Sequence, residues 1–216
     1  MGAAGVTRGD RTAGLPAPRR RGGAGIHGAF AARDVARRVA PDSAARILLR
    51  RTSAADVPAL VGVLASNLAE LPLAGIAAGH VDRSACAGLL AAEMAREHAT
   101  CLTLIERATG RAIGLAILVV PNPADRVPWI SLLIVAADRQ NLGLGTEAAR
   151  ALERNLAADG WHEVRLGVIA GNCAALRFWK RLGFRELPGG WRAYNGTPRT
   201  TITLSRRLPA GPGARV

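Results

Sequence analysis

The strongest constraint on this chain is a junction, where the run Ile134-Val135 breaks through Ala136-Ala137-Asp138-Arg139-Gln140-Asn141-Leu142 into Gly143-Leu144-Gly145-Thr146 and a helical pattern begins. A helix that starts there leaves its first amides without intrahelical acceptors. Glycines at alternate positions let the backbone come close to a ligand, and the helix dipole adds about half a positive charge at that end. The junction has the chemistry to hold a phosphate. Alone, it is equally the chemistry of a structural N-cap or a close helix crossing.

A second junction changes that weighting. The apolar strand Val164 to Ile169 leads into Asn172-Cys173-Ala174-Ala175-Leu176-Arg177-Phe178-Trp179-Lys180-Arg181-Leu182-Gly183-Phe184. With the two junctions taken together, the chain resembles the GNAT acyltransferase superfamily, which reads Gln/Arg-x-x-Gly-x-Gly/Ala after its fourth strand and Asn-x-x-Ala-x-x-x-Tyr-x-x-x-Gly-Phe over the next strand-helix unit. Gln140, Gly143 and Gly145 match the first pattern; Asn172, Ala175, Gly183 and Phe184 match the second. The resemblance runs from about residue 46 to 208. It implies an α/β fold with a mixed, mostly antiparallel central sheet flanked by helices.

The sequence divides accordingly. Residues 1–44 are rich in Ala, Gly, Arg and Pro, with eight Arg against three Asp, and are expected to be a disordered basic tail. They lack the amphipathic helix of a transit peptide and the apolar core of a signal peptide, although a short helix over Phe30 to Val39 stays open. Gly2 does not begin a myristoylation pattern, because Val6 stands where Ser or Thr is needed. Residues 45–208 are expected to form one domain, and 209–216 a flexible C-terminal tail.

Within the domain the reading is a strand at 46–51; a helix from Ser53-Ala54-Ala55-Asp56, a capping-box-like start, to about Ser66; an apolar connection from Asn67 to His80; and a helix capped by Asp82. Strands follow at 100–106, 111–120 and 129–135, then a helix over 145–159 closed by Gly160, a strand at 164–169, a helix over 172–182, and strands near Phe184 and at 201–205. The order β-α-α-β-β-β-α-β-α-β-β leaves a doubly wound dinucleotide fold as the runner-up, weakened because its glycine fingerprint opens the domain's first βα turn. Ala148 also stands at the third glycine, and Glu163 begins a strand where that fold needs an acid at a strand's end.

Composition narrows the partners. The longest apolar run, Ile113 to Val120, is far short of the ~20 residues that cross a bilayer. Cys86, Cys101 and Cys173 have no metal-ligand spacing and point to a reducing, cytoplasmic setting, with Cys173 read as packing. The formal charge of +13 is carried by scattered Arg with only 4% aromatics, which disfavours nucleic acid as the partner.

The resemblance implies acetyl-CoA as co-substrate, no metal, and a small-molecule or peptide amine as acceptor; a homodimer is left open. Ile134 and Val135 would lie along the pantetheine arm, with a backbone amide near Val135 facing the thioester carbonyl. Gln140, Asn141, Leu142, Gly143, Leu144, Gly145 and Thr146 would surround the pyrophosphate, mainly through amides, and Asn172, Ala175 and Trp179 would face the arm. Arg139 is either a phosphate contact or a solvated charge. Trp179 stands where the family usually has a Tyr as general acid, and an indole has no proton to give at working pH. The strand 129–135 carries no carboxylate for a general base, so Ser131 and Asp125, then Tyr194, His80 and His98, are the candidates the sequence offers. Two functions follow: an acyl-CoA-dependent N-acyltransferase working by direct attack, or a CoA-binding or sensing module that has lost its acid and base.

Overall fold

The chain is described here by a computed structural model, which covers residues 45–68, 71, 82–194 and 197–209, with backbone alone for 189–194 and 197–199. Its elements are β1 (Ile47–Arg51), α1 (Val57–Ala65), α2 (Arg83–Ala95), β2 (Ala99–Glu106), β3 (Ala112–Val119), β4 (Trp129–Val135), α3 (Leu144–Ala158), β5 (Glu163–Ile169), α4 (Cys173–Arg181), β6 (Arg185–Tyr194) and β7 (Thr197–Arg207). This is the order the sequence predicts. The seven strands form one sheet in the order β1-β2-β3-β4-β5-β7-β6, antiparallel except where β4 meets β5.

Local chemistry sets the ends. Before α1, the Ser53 amide and hydroxyl both donate to the Asp56 carboxylate at 2.8 Å, so the expected box closes through the acid, and Pro58 sits in the first turn, where its missing N–H costs nothing. Asp82 caps α2 by accepting from Ala85 N at 2.8 Å. Gly160 ends α3 at φ +87°, the left-handed conformation that lets Trp161 N reach back to Leu156 O.

Both faces of the sheet are packed at its centre. Leu115 and Ile117 of β3 lie against Leu60 and Leu64 of α1 and Leu90 of α2, whereas Ala116 and Leu118 face Leu152 and Leu156 of α3. That two-sided burial makes β3 a continuous apolar run, unlike the half-buried β5. In β4 the pairing with β3 slips between Ile130 and Leu132, leaving Ser131 as an extra residue. Cys86 and Cys101 are buried free thiols, and burial pushes the Cys101 thiol up to about 11, consistent with packing and not with reactivity. Cys173, also a free thiol, is exposed. The residues around 30–39, His80 and the expected connection from 69 to 80, apart from Leu71, lie outside the described residues. No helix among the described residues is long and apolar enough to cross a membrane.

Candidate functional site

The site begins where two parallel strands part. β4 and β5 pair only at Trp129 with Arg165 and Ile130 with Leu166, yet β4 runs on to Val135 and β5 to Ile169. Ala136 N donates to Ile113 O of the neighbouring edge at 2.8 Å. Backbone groups alternate sides along a strand, so Val135 and Leu133 turn their own N–H and C=O toward β5, into the gap. The result is a V with an unpaired strand edge on one arm.

Above the open end of the V stand the two junctions. Gly143 precedes α3 at φ +81°, which only glycine adopts without strain, and no side chain caps the helix. Glu147 N makes the first intrahelical bond, to Gly143 O, so the amides of Leu144, Gly145 and Thr146 have no partner within the helix. Asn172 does cap α4, accepting from Ala175 N at 3.0 Å. The turn at Gly143 is braced from the first strand: Arg46 Nη1 donates to Leu142 O at 3.0 Å, its Nε meets Glu147 at 3.0 Å, and Glu147 accepts from Ile47 N at 3.0 Å.

Between these parts lies a cleft of about 700 Å³. Ile134, Val135, Gln140, Asn141, Gly143, Gly145, Thr146, Asn172, Ala175 and Trp179 line it, so the structure brings both junctions onto one cavity. Two members of the predicted set are elsewhere. Leu144 is buried in the core beneath the turn, because the first position of α3 points its side chain at the sheet, and Leu142 is exposed, contributing its carbonyl to Arg46. The lining also includes Arg177 and Arg181, one turn apart on α4, and no carboxylate among the described residues.

Smaller cavities continue the V. Ser131, Gly167 and Thr201 line both a pocket of about 120 Å³ at its apex and a groove of about 550 Å³ reaching Trp129 and His98. Ser131 is thus at the junction of the cavities. Asp125 is not: it accepts from the Trp129 indole at 2.9 Å and from Arg165 at 3.1 Å, inside a polar cluster that also holds Glu163 and Ser205. The Arg165 guanidinium holds Glu163 below the usual carboxylate range against the opposing effect of burial, with help from Ser205. Arg139 is paired with Glu106 at 3.4 Å and Asp138 at 3.3 Å and does not line the cleft. Trp179 is buried edge-on between Phe178 and Phe184, with ring centroids 4.9 and 5.1 Å away, so it serves as wall and core together. The Tyr194 side chain lies outside the described residues, and no group of three candidate metal ligands occurs among those described.

Asn67 is the residue that sequence reasoning missed. Nearly fully buried just beyond α1, its amide nitrogen donates to Val63 O at 2.8 Å and to Val135 O at 3.2 Å, and its oxygen accepts from Gln140 Nε2 at 2.6 Å. No local pattern marks it; the partners that tie it to the site are 68 and 73 residues away.

Comparison with known proteins agrees with this architecture. A family model described as the acetyltransferase (GNAT) family matches residues 76–184. Similar solved structures include an acetyltransferase from Thermus thermophilus, 21% identical, TM-score 0.59, covering 75% of this chain and 97% of that one. A spermidine N-acetyltransferase from Vibrio cholerae in complex with CoA and spermine is 17% identical, TM-score 0.58, covering 76% and 96%. A GCN5-related N-acetyltransferase from Kribbella flavida is 18% identical, TM-score 0.56, covering 76% and 98%. No curated protein sequence matches the chain. At these identities the solved structures show the fold.

Proposed function

The chain belongs to the acetyltransferase (GNAT) family, and from that premise we propose that it transfers an acetyl group from acetyl-CoA to an amine by direct attack, without a covalent enzyme intermediate. The observation that carries the reading is the single cleft joining the unpaired edge of β4 to the uncapped start of α3. The pyrophosphate would rest on the amides of Gly145 and Thr146 with the Thr146 hydroxyl adding a donor, and the Arg177 and Arg181 cations would favour the same anion. The pantetheine arm would lie along β4 as the strand that β5 does not supply.

The amides of Leu133 and Val135 would then meet carbonyl oxygens of the arm and of the thioester, where charge develops in the tetrahedral intermediate. Holding an amine against that carbonyl supplies several kcal/mol by orientation. Ser131, which lines the apex pocket with Asn172 and Thr201, would be one polar neighbour of that chemistry, while Asp125, committed to Trp129 and Arg165, would act only by shaping the floor. The acceptor would be a small-molecule or peptide amine in the cytoplasm.

Calorimetry with acetyl-CoA tests the cofactor: binding in the micromolar range is expected, and no binding at millimolar acetyl-CoA overturns the proposal. Thiol release over a panel of amines then tests transfer. A CoA-binding module without turnover is the second reading, favoured by the buried Trp179 at the position of the general acid; tight binding with no thiol release from any amine would establish it.

A further inference from the structure

We propose that Asn67 is a positioning residue for the acyl-carrying arm, acting through Gln140 and the Val135 carbonyl; this rests on the CoA reading above. In the V, Val135 presents one N–H and one C=O to the gap. The carbonyl is taken twice over: Asn67 Nδ2 and Gln140 Nε2 each donate to it at 3.2 Å, and the two side chains are tied to each other at 2.6 Å. An amide oxygen has two lone pairs, so both are engaged. This rung of the strand edge is therefore left with a donor only, and it selects a carbonyl oxygen of the arm over an amide N–H at that level.

The same contacts hold the peptide that follows the donor. The Val135–Ala136 peptide is held on one side by Ala136 N to Ile113 O and on the other by the two side-chain amides. Asn67 is itself fixed by Val63 O and by the Ser66 hydroxyl, which also accepts from Ala137 N at 3.1 Å. Ser66 and Asn67, at the end of α1, thus grip Ala137 and Val135, on either side of Ala136, and Asn67 is the member that reaches the cleft.

The test separates the arm from the nucleotide. Binding of acetyl-CoA and of a nucleotide that lacks only the arm, 3′-phosphoadenosine 5′-diphosphate, is measured by calorimetry on the full chain and on Asn67→Ala, Asn67→Asp and Gln140→Ala. Each variant is expected to bind acetyl-CoA about tenfold more weakly, which is about 1.4 kcal/mol, and the nucleotide within about twofold of the parent. Equal weakening of both ligands would mean general damage to the turn and would overturn the inference, as would unchanged binding of both. Gln140→Ala, at a half-buried position, keeps the test open should the Asn67 variants not fold. A parent chain that binds neither ligand would instead sink the CoA reading. A CoA-bound structure with an arm N–H on the Val135 oxygen would overturn the positioning role while leaving the cofactor in place.

Discussion

The two strand-to-helix junctions look alike in sequence and differ in what they leave uncommitted. At β5–α4 the Asn172 side chain caps its own helix, so one of the first amides is satisfied internally. At β4–α3 the corresponding place is Gly143, with no side chain to offer, and the opening amides of the helix stay open to a ligand. The β4–α3 junction thus keeps its donors uncommitted, whereas the β5–α4 junction commits one to its own helix. The brace at each repeats the difference: Arg46 and Glu147 hold the Gly143 turn from outside, across 101 positions, whereas Asn172 works within four residues.

That contrast can be broken in order of expected effect. Gly143→Val forces a β-branched residue to φ +81° and sets its Cβ 3.3 Å from Arg46, so unfolding measurements should show roughly 2 kcal/mol or more lost and acetyl-CoA binding abolished. Gly145→Ala separates ligand from fold: the new methyl meets Phe178 at 3.7 Å, ordinary contact, and alanine favours a helix by up to about 1 kcal/mol. Thermal melting should show unchanged or higher stability while calorimetry shows acetyl-CoA binding about tenfold weaker; unaltered affinity would mean that the diphosphate does not approach this backbone.

At the other junction, Asn172→Ala should cost about 1 kcal/mol of stability, the usual worth of an N-cap, and change acetyl-CoA affinity by less than about threefold. A loss beyond tenfold would show that the Asn172 amide also grips the arm, making the junctions more alike than the cap suggests.

The smallest effect on either junction should come from acid. Burial raises the Asp56 carboxyl, but Arg50 and the Ser53 amide and hydroxyl together bring it below its ordinary value of 3.8. A carboxylate lowered in the folded state stabilises it fully above that value, and the contribution is lost as pH falls through the folded pKa. Denaturation followed from pH 6 to 3 should therefore show stability falling at the acid end, with a shallower fall in Asp56→Asn. Since the cleft lining holds no carboxylate among the described residues, a change in acetyl-CoA affinity over pH 5 to 6, where the fold is intact, should follow the ligand's own phosphomonoester, whose second pKa is about 6.

Much of this architecture was legible in the chain because it is written locally. Ser53 with Asp56, Asp82, Gly160 and Asn172 are end signals that act within a few residues, and the expected element order follows from them and from the apolar periodicities. The glycine turn was legible for the same reason. What escaped depends on distant chain: Asn67 is defined by Gln140 and Val135, Arg139 by Glu106, and the turn's brace by Arg46. Leu142 and Leu144 are expected at the cleft mainly through their amides, and their side chains do turn away from it, Leu142 outward before the helix and Leu144 into the core. Strand lengths at the far edge were underestimated too, since β6 and β7 are extended by pairing with each other and not by an apolar pattern of their own. The expected tail and most of the 69–80 connection fall outside the described residues.

The slip at Ser131 gives β4 something like a reading frame. Ile130 belongs to the core under α3, yet Leu132, two places on, belongs to the core under α1, and Leu133 and Val135 return to the first. Were Ser131 taken into the ladder instead of bulged out of it, every group downstream would change sides, and Ala136 instead of Val135 would present its amide to the gap. Ser131 then matters as a bulge as much as a hydroxyl: it takes up one residue without a partner, so Leu132 to Val135 keep the sides they would hold in its absence, while a change that flattened the bulge into the ladder would transpose the whole arm of the V.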